Sequence, residues 1–256
     1  MSPLIVATVV LVFLVVSFLI GIYAHRFLPE EHFQGEFKFV MELSVGLIAA
    51  MTALVLGLLT ASTKNSFDEQ DGAIKQIAAN LFEIDRLLIR YGPETSLVRE
   101  ALKVGVAKQI ENIWGADSAN QVKQNISQSK PPMEAIEDYI YGLTPNSEQQ
   151  KEFRSRTLEL TKEISGTRWK AFTNASTTVP LAFLVVLIFW LSVLFASFGL
   201  MTPLNSTAYM LLFLAAVSVA GGVFVILEMG DPFSGLIKVS RLPLDELMNY
   251  LSSQIT

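Results

Sequence analysis

Four long apolar blocks interrupt this chain, and the residues between the second and third read as ordinary polar protein. Leu4–Ala24 carries no charge and is polar only at Thr8 and Ser17. Phe39–Ala61 carries one charge, Glu42, near its start, and Val179–Gly199 and Tyr209–Leu227 carry none. Roughly 20 apolar residues cross a bilayer core of about 30 Å, so each block predicts a transmembrane helix. The first is read as an uncleaved span and not as a signal peptide, because Met1–Pro3 lacks a basic segment and no A-x-A site follows the run.

The segment Ser62–Thr178 shows helical periodicity instead of strand alternation. Ile74, Ile77, Leu81, Ile84, Leu88 and Tyr91 recur at alternating steps of three and four. They predict an amphipathic arm that continues the second span and ends near Gly92-Pro93. Packing in a helical bundle, or between subunits, and capture of a protein partner are the two uses of that stripe. A further helix is expected over Glu94–Trp114, with Leu102, Val106, Ile110 and Ile113 on one face. Gly115–Lys130, rich in Ser, Asn and Gln, reads as a loop. Pro132 opens a short helix that stops at Gly142. Thr144-Pro145 reads as an N-cap and first helical position, starting a long helix that leads to the third span.

Composition sharpens this picture. Of the 256 residues, 51% are apolar and 17% charged, with mean hydropathy +0.44; soluble domains carry about 25% charge. Net charge is −5 and the pI about 5.2, so no basic surface calls for nucleic acid. The absence of cysteine excludes disulfides, thiolate catalysis and Cys-based zinc sites. Lys64, Lys75, Arg168, Lys170, Lys238 and Arg241 flank the spans on the side of the termini, against Arg26 and Lys38 opposite. This bias puts termini and polar segment in the cytoplasm, although the first span taken alone, followed by His25-Arg26, argues the other way.

Catalytic constellations are missing. His25 and His32 with Glu30 and Glu31 match no established metal-ligand spacing, and a solvated loop is the better reading. No G-x-S-x-G, P-loop or G-x-G-x-x-G motif occurs, and Glu137-Asp138 are neighbours on a polar helix with no pocket to argue for them. No catalytic residue, metal or cofactor is expected, and an enzyme is not the reading.

The second span is more informative. Glu42, Gly46, Ala49 or Ala50, Ala53, Gly57, Thr60 or Ala61, and Lys64 follow at helical steps and share one face, small throughout and charged at each end. Around an axis, about five copies would form a narrow pathway with an acidic outer and a basic inner mouth, as channels use rings of charge. The pattern Ala53-x3-Gly57-x3-Ala61 equally suits close helix packing. Glu42 adds weight to the pathway, since a carboxylate inside a span turns to water or a partner. The fourth span carries Ser218, Gly221 and Gly222, a second small-residue contact site. It ends in Glu228-Met229-Gly230-Asp231-Pro232-Phe233-Ser234-Gly235, where proline and two glycines break the helix. Glu228 and Asp231 are read either as a salt bridge or cap, or as a gate or ion-binding turn.

The order of these features resembles the bacterial bestrophin-like domain family. The segment Gly57-Leu58-Leu59-Thr60-Ala61-Ser62-Thr63-Lys64-Asn65-Ser66-Phe67-Asp68 and the closing stretch Leu227–Leu247, with Asp231-Pro232-Phe233-Ser234-Gly235 and Leu242-Pro243-Leu244, carry the likeness. Bestrophins proper are pentameric anion channels with four spans, cytosolic termini and a pore lined by the second helix. They keep an aromatic constriction in that helix and an acidic calcium-binding cluster after the last span. Here the helix offers small residues, and only Glu228 and Asp231 lie near Pro232-Phe233.

The expectation is an all-α, four-span transmembrane protein with a cytosolic helical domain inserted between spans two and three. The segments are 1–61 for spans one and two, 62–178 for the helical domain, 179–227 for spans three and four, and 228–256 for a C-terminal turn and tail. The resemblance implies a homo-oligomeric ion channel, a pentamer, of the bacterial inner (plasma) membrane, with lipid and ions as partners. Glu42, Gly46, Ala53, Gly57, Thr60 and Lys64 are the candidate pore-lining or gating residues, and Glu228, Asp231, Pro232 and Phe233 the candidate inner turn. The rival is a non-conducting sensor or scaffold whose helical domain binds a protein partner. A secondary transporter ranks third, lacking an inverted repeat and a midplane charge.

Overall fold

Long apolar runs and helical periodicity in the sequence underlie the helices of the computed structural model, which describes residues 2–27, 35–115, 132–175, 181–201, 205–233 and 235–254. In chain order they are α1 (Pro3–His25), α2 (Gly35–Tyr91), α3 (Ser96–Trp114), α4 (Pro132–Gly142), α5 (Glu148–Ala175), α6 (Leu181–Met201), α7 (Ser206–Met229) and α8 (Leu242–Ser253). Four of them, α1, α2, α6 and α7, contain stretches long and apolar enough to cross a membrane. Ser2 caps α1, its side chain accepting from the Ile5 amide at 3.4 Å, and Pro3 takes the first turn, where its missing N–H costs nothing. Asn205 caps α7 through the Thr207 amide at 3.1 Å.

The chain divides into two units, residues 1–65 with 177–230, and 66–176 with 231–256. In the first, α1 packs on α6 and α7. Val10, Leu14 and Phe18 of α1 meet Leu187, Leu191 and Phe195 of α6 and Val223 of α7, with Leu59 of α2 against the same cluster. The crossing of α1 and α6 is made by two glycines. A Cβ on Gly21 would collide with the Ala196 carbonyl oxygen, and one on Gly199 with that of Phe18. Such close backbone approach is how membrane helices gain packing energy, since lipid tails compete away any hydrophobic advantage. Among the described residues, the small residues of the fourth span play no such part. Ser218 and Gly221 are exposed, and a Cβ on Gly221 or Gly222 would meet nothing within 4 Å. Turned away from α1, they leave the close contact to the Gly21–Gly199 pair.

The second unit closes around the stripe on α2. Ile74, Leu81, Ile84 and Leu88 are buried with Val98, Leu102 and Val106 of α3, Ile140 of α4 and Leu160 and Ile164 of α5. The stripe is therefore spent on its own helical bundle and is not presented to a protein partner. Inside this core Asp85, fully buried, accepts from Arg99 Nε at 2.7 Å and Nη2 at 3.4 Å. α2 ends as expected at Tyr91, where Gly92 adopts φ 139°, a conformation that suits glycine. Thr95 closes the corner by donating its hydroxyl to the Leu88 and Gly92 carbonyls at 2.7 and 2.8 Å. A 3-10 turn over Pro93–Thr95 then delays α3 to Ser96.

Two expectations need correction here. The long helix does not begin at Thr144-Pro145 but at Glu148, because Ser147 is the better cap. Its hydroxyl accepts from the Gln150 amide at 3.2 Å, while Gln150 Oε1 accepts from the Asn146 amide at 2.7 Å. This reciprocal pair satisfies two otherwise orphaned donors, and the Gln150 amide nitrogen also donates to the Tyr91 carbonyl at 2.9 Å. Ser147→Ala is expected to lower stability by about 1 kcal/mol, read as a lower thermal midpoint. Nor is the end of the chain simply a turn and tail. Leu244, Leu247 and Leu251 of α8 lie buried in the second unit's core, beside α3. His25 ends α1, whereas Glu30, Glu31 and His32, like the loop residues 116–130, lie outside the described residues.

Candidate permeation helix and inner turn

α2 presents three faces along its apolar stretch. At 100° per residue, Glu42, Gly46, Ala53, Gly57, Thr60 and Lys64 fall within a sector of about 60°, and all six are exposed. Thr52, Leu59 and Thr63, about 110° away, are buried. Leu43, Leu47, Leu54 and Leu58, about 100° to the other side, are exposed and bulky, each more than 60% accessible. The chain thus covers one face of α2 with its own residues and leaves two uncovered, of opposite character. A Cβ on Gly46 or Gly57 would meet nothing within 4 Å, so among the described residues no close helix contact is made at the glycine of Ala53-x3-Gly57-x3-Ala61.

The polar groups on this helix are largely self-satisfied. Thr60 Oγ1 donates to the Leu56 carbonyl at 2.8 Å, as Ser44, Thr52 and Thr63 do to Val40, Ile48 and Leu59 at 2.7–2.8 Å. Back-bonding of this kind removes a donor that apolar surroundings would leave costly. It also means that Thr60 offers lone pairs, not a proton, on the small face. Glu42 pairs with Lys38 one turn earlier at 3.8 Å, both half-exposed, a geometry worth little in energy. Lys64 closes the sector.

The inner turn divides its residues between the units. Glu228, 3% exposed, lies in the last turn of α7, and Gly230 caps that helix by donating to the Ile226 carbonyl at 3.2 Å. Asp231 is exposed and opens the second unit's closing segment. Pro232 is buried, its carbonyl accepting from the Val239 amide at 2.8 Å, and Gly235 takes φ 83°. Phe233 stands edge-on to Trp114, ring centroids 6.0 Å apart, while Trp114 Nε1 donates to the Val239 carbonyl at 3.2 Å. Trp114 was not among the expected site residues. It clasps a turn far away in sequence, and no local spacing announces that. Ser234 lies outside the described residues. Among the described residues no cluster of three or more His, Asp or Glu could hold a metal ion.

Comparison with known proteins gives a consistent answer. The bestrophin-like domain profile matches residues 11–244. A mutant of a bacterial bestrophin homolog from Klebsiella pneumoniae superposes with TM-score 0.69 at 15% identity, over 100% of this chain and 97% of that one. A second mutant of that homolog gives TM-score 0.65 at 16% identity, over 97% of each chain. A further crystal structure, described only as a membrane protein, gives 0.65 at 14%, again over 97% of each. No curated protein matches. The apolar helices, the shared fold and the matched domain make this a membrane protein, and the chain belongs to the bestrophin-like domain family.

Proposed function

We propose that this chain is one subunit of a homo-oligomeric, anion-conducting channel whose pathway is lined by the small face of α2. The observation that carries the reading is the division of α2 into three faces. The buried face meets the chain's own bundle, and the bulky leucine face suits lipid. The small face, uncovered by its own chain and bearing Glu42 and Lys64 at its ends, is suited to water around a symmetry axis. Gly46, Ala53 and Gly57 give width there, and Thr60, its proton already committed, lets an ion pass without binding it tightly. Selectivity then falls to the ends: Lys64 concentrates anions at the inner mouth, and Glu42 opposes them at the outer one. Glu228 in the last turn of α7, and Asp231, Pro232 and Phe233 in the segment that follows it, are the gating candidates. The Lys and Arg bias supports termini and second unit in the cytoplasm of a bacterial inner membrane. The family's fold supports the channel class, and the pentamer comes from the resemblance.

Flux from liposomes holding the purified protein tests this, with chloride, potassium and sodium in turn. Lys64→Gln is expected to lower chloride relative to potassium permeability by about tenfold, and Glu42→Gln to raise it. Unchanged selectivity in both, or no flux of any ion from folded oligomer, sinks the reading. Cysteine scanning checks the lining separately, because the chain has no native cysteine. Gly46→Cys, Ala53→Cys, Gly57→Cys and Thr60→Cys should react with a charged thiol reagent, and Leu47→Cys and Leu54→Cys should not.

A further inference from the structure

A second face of α2 stays uncovered within the second unit. Phe82, Arg86 and Ile89 lie about 120° around the helix from the buried stripe, and Phe82 and Ile89 are 38% and 41% exposed. Phe82 packs on Tyr250 of α8 with ring centroids 4.7 Å apart, and the Arg86 guanidinium lies 5.8 Å from the Phe82 ring centroid. That stack holds ring and cation in place and leaves both accessible. Arg90, one turn beyond Arg86, is exposed as well. Among the described residues neither arginine forms an ion pair.

The same unit carries a surface of opposite sign. A cleft of about 500 Å³ is lined by Glu94, Leu97 and Val98 at the start of α3 and by Asp138, Tyr139 and Leu143 around the end of α4. Leu97 is 72% exposed, and Tyr139 and Tyr141 are each more than half exposed. Two carboxylates line the cleft and no cation does; Glu94, like the arginines, forms no ion pair among the described residues. Exposed apolar side chains gathered with aromatic rings and arginine mark a contact surface. The two patches complement each other in charge, and neither complements itself. Pairing like with like would set arginine against arginine, or carboxylate against carboxylate.

We propose that a second copy of this chain covers the α2 face, so that Phe82 and Arg86 dock at the Glu94–Asp138 cleft of the neighbouring subunit. The contact is heterologous, head to tail, the kind that builds rings around an axis. It rests on the homo-oligomer of the proposed channel and adds a named contact outside the spans. Exposed rings supply the apolar area, while the charges fix which face meets which.

Cross-linking of the purified full chain tests it, since no native cysteine interferes. Ile89→Cys and Leu97→Cys chains carrying different tags are co-expressed and bridged with a short bis-maleimide. A covalent dimer with both tags is expected, and neither variant alone should give one. Charge reversal supplies the second readout, with native mass spectrometry counting subunits. Arg86→Glu and Glu94→Arg should each raise the concentration at which the oligomer dissociates by about tenfold or more. Both reversals in one chain should restore most of the loss. An oligomer unchanged by either single reversal, or no mixed dimer from protein that stays oligomeric, overturns the contact and leaves the proposed channel standing. A wild type that is monomeric at every concentration overturns both. Dimers from Ile89→Cys alone overturn the contact in favour of a two-fold arrangement. Full reaction of both cysteines with a soluble maleimide in the intact oligomer overturns it in favour of another occupant.

Discussion

Gly199→Leu is expected to abolish the folded membrane unit, and Gly21→Leu to do the same. At Gly199 a Cβ would sit on the Phe18 carbonyl oxygen and 3.1 Å from the Ile22 amide nitrogen, and at Gly21 it would strike the Ala196 carbonyl. Both obstacles are backbone, which cannot rotate aside as a side chain can. Helix α1 must then withdraw from α6, and with it go the contacts of Leu14 and Phe18 with Leu191 and Phe195. Overpacking a core costs about 1–3 kcal/mol where side chains can adjust; here alanine alone should reach or exceed the upper end, and leucine should leave no recoverable protein. Gly57→Ala and Gly221→Ala, whose Cβ atoms meet nothing within 4 Å, are the controls for the single chain's fold. Thermal unfolding of purified protein gives the ranking. A Gly199→Ala midpoint equal to the wild type would show that the two helices do not need this approach.

The second large effect concerns Asp85. Removing its carboxylate takes from the Arg99 guanidinium, 16% exposed, the buried partner it holds at 2.7 Å. Breaking a buried pair from one side costs about 3–5 kcal/mol, and Asp85→Ala is placed at the lower end because Arg99 keeps some access to water. Replacing both partners together, Asp85→Leu with Arg99→Leu, should recover most of the loss, since the desolvation cost of both charges disappears with them. Trp114, packed on the same unit, reports the transition by fluorescence. A double variant no better than Asp85→Ala would mean that the pair positions α3 in a way that apolar packing cannot replace.

The sequence made the helical elements legible wherever burial imposed a period. The stripe Ile74–Tyr91, the stop at Gly92 and the short helix Pro132–Gly142 could be read directly, because each rests on neighbours within a few residues. What escaped depended on partners far away. Gly21 and Gly199 look no different in sequence from Gly46 or Gly57, and the triplet Ala53, Gly57, Ala61 even has the better spacing. Only the pairing of separate spans decides which glycines touch. The helix at Leu242–Ser253 is hard to tell from a tail, although Leu244, Leu247 and Leu251 carry the period, because the apolar signal is short. Ser147-x-x-Gln150 follows Thr144-Pro145 by three residues, and contacts such as that of Gln150 with the distant Tyr91 carbonyl decide where the helix begins. For the small face of α2, the spacing from Glu42 to Lys64 was readable, while its exposure depended on which other face the bundle would cover.

The docking of α8 has a consequence for synthesis on the ribosome. The core of the second unit needs Leu244, Leu247 and Leu251, yet about 70 residues, including two apolar spans, separate them from the end of α5 at Ala175. At about 5–20 residues per second the nascent bundle waits on the order of 4–14 s with one side open, while α6 and α7 are delivered to the bilayer. Chaperone capture or misassembly should concentrate in that interval, and slowing translation between Ala175 and Leu242 should lower yield more than slowing it anywhere earlier.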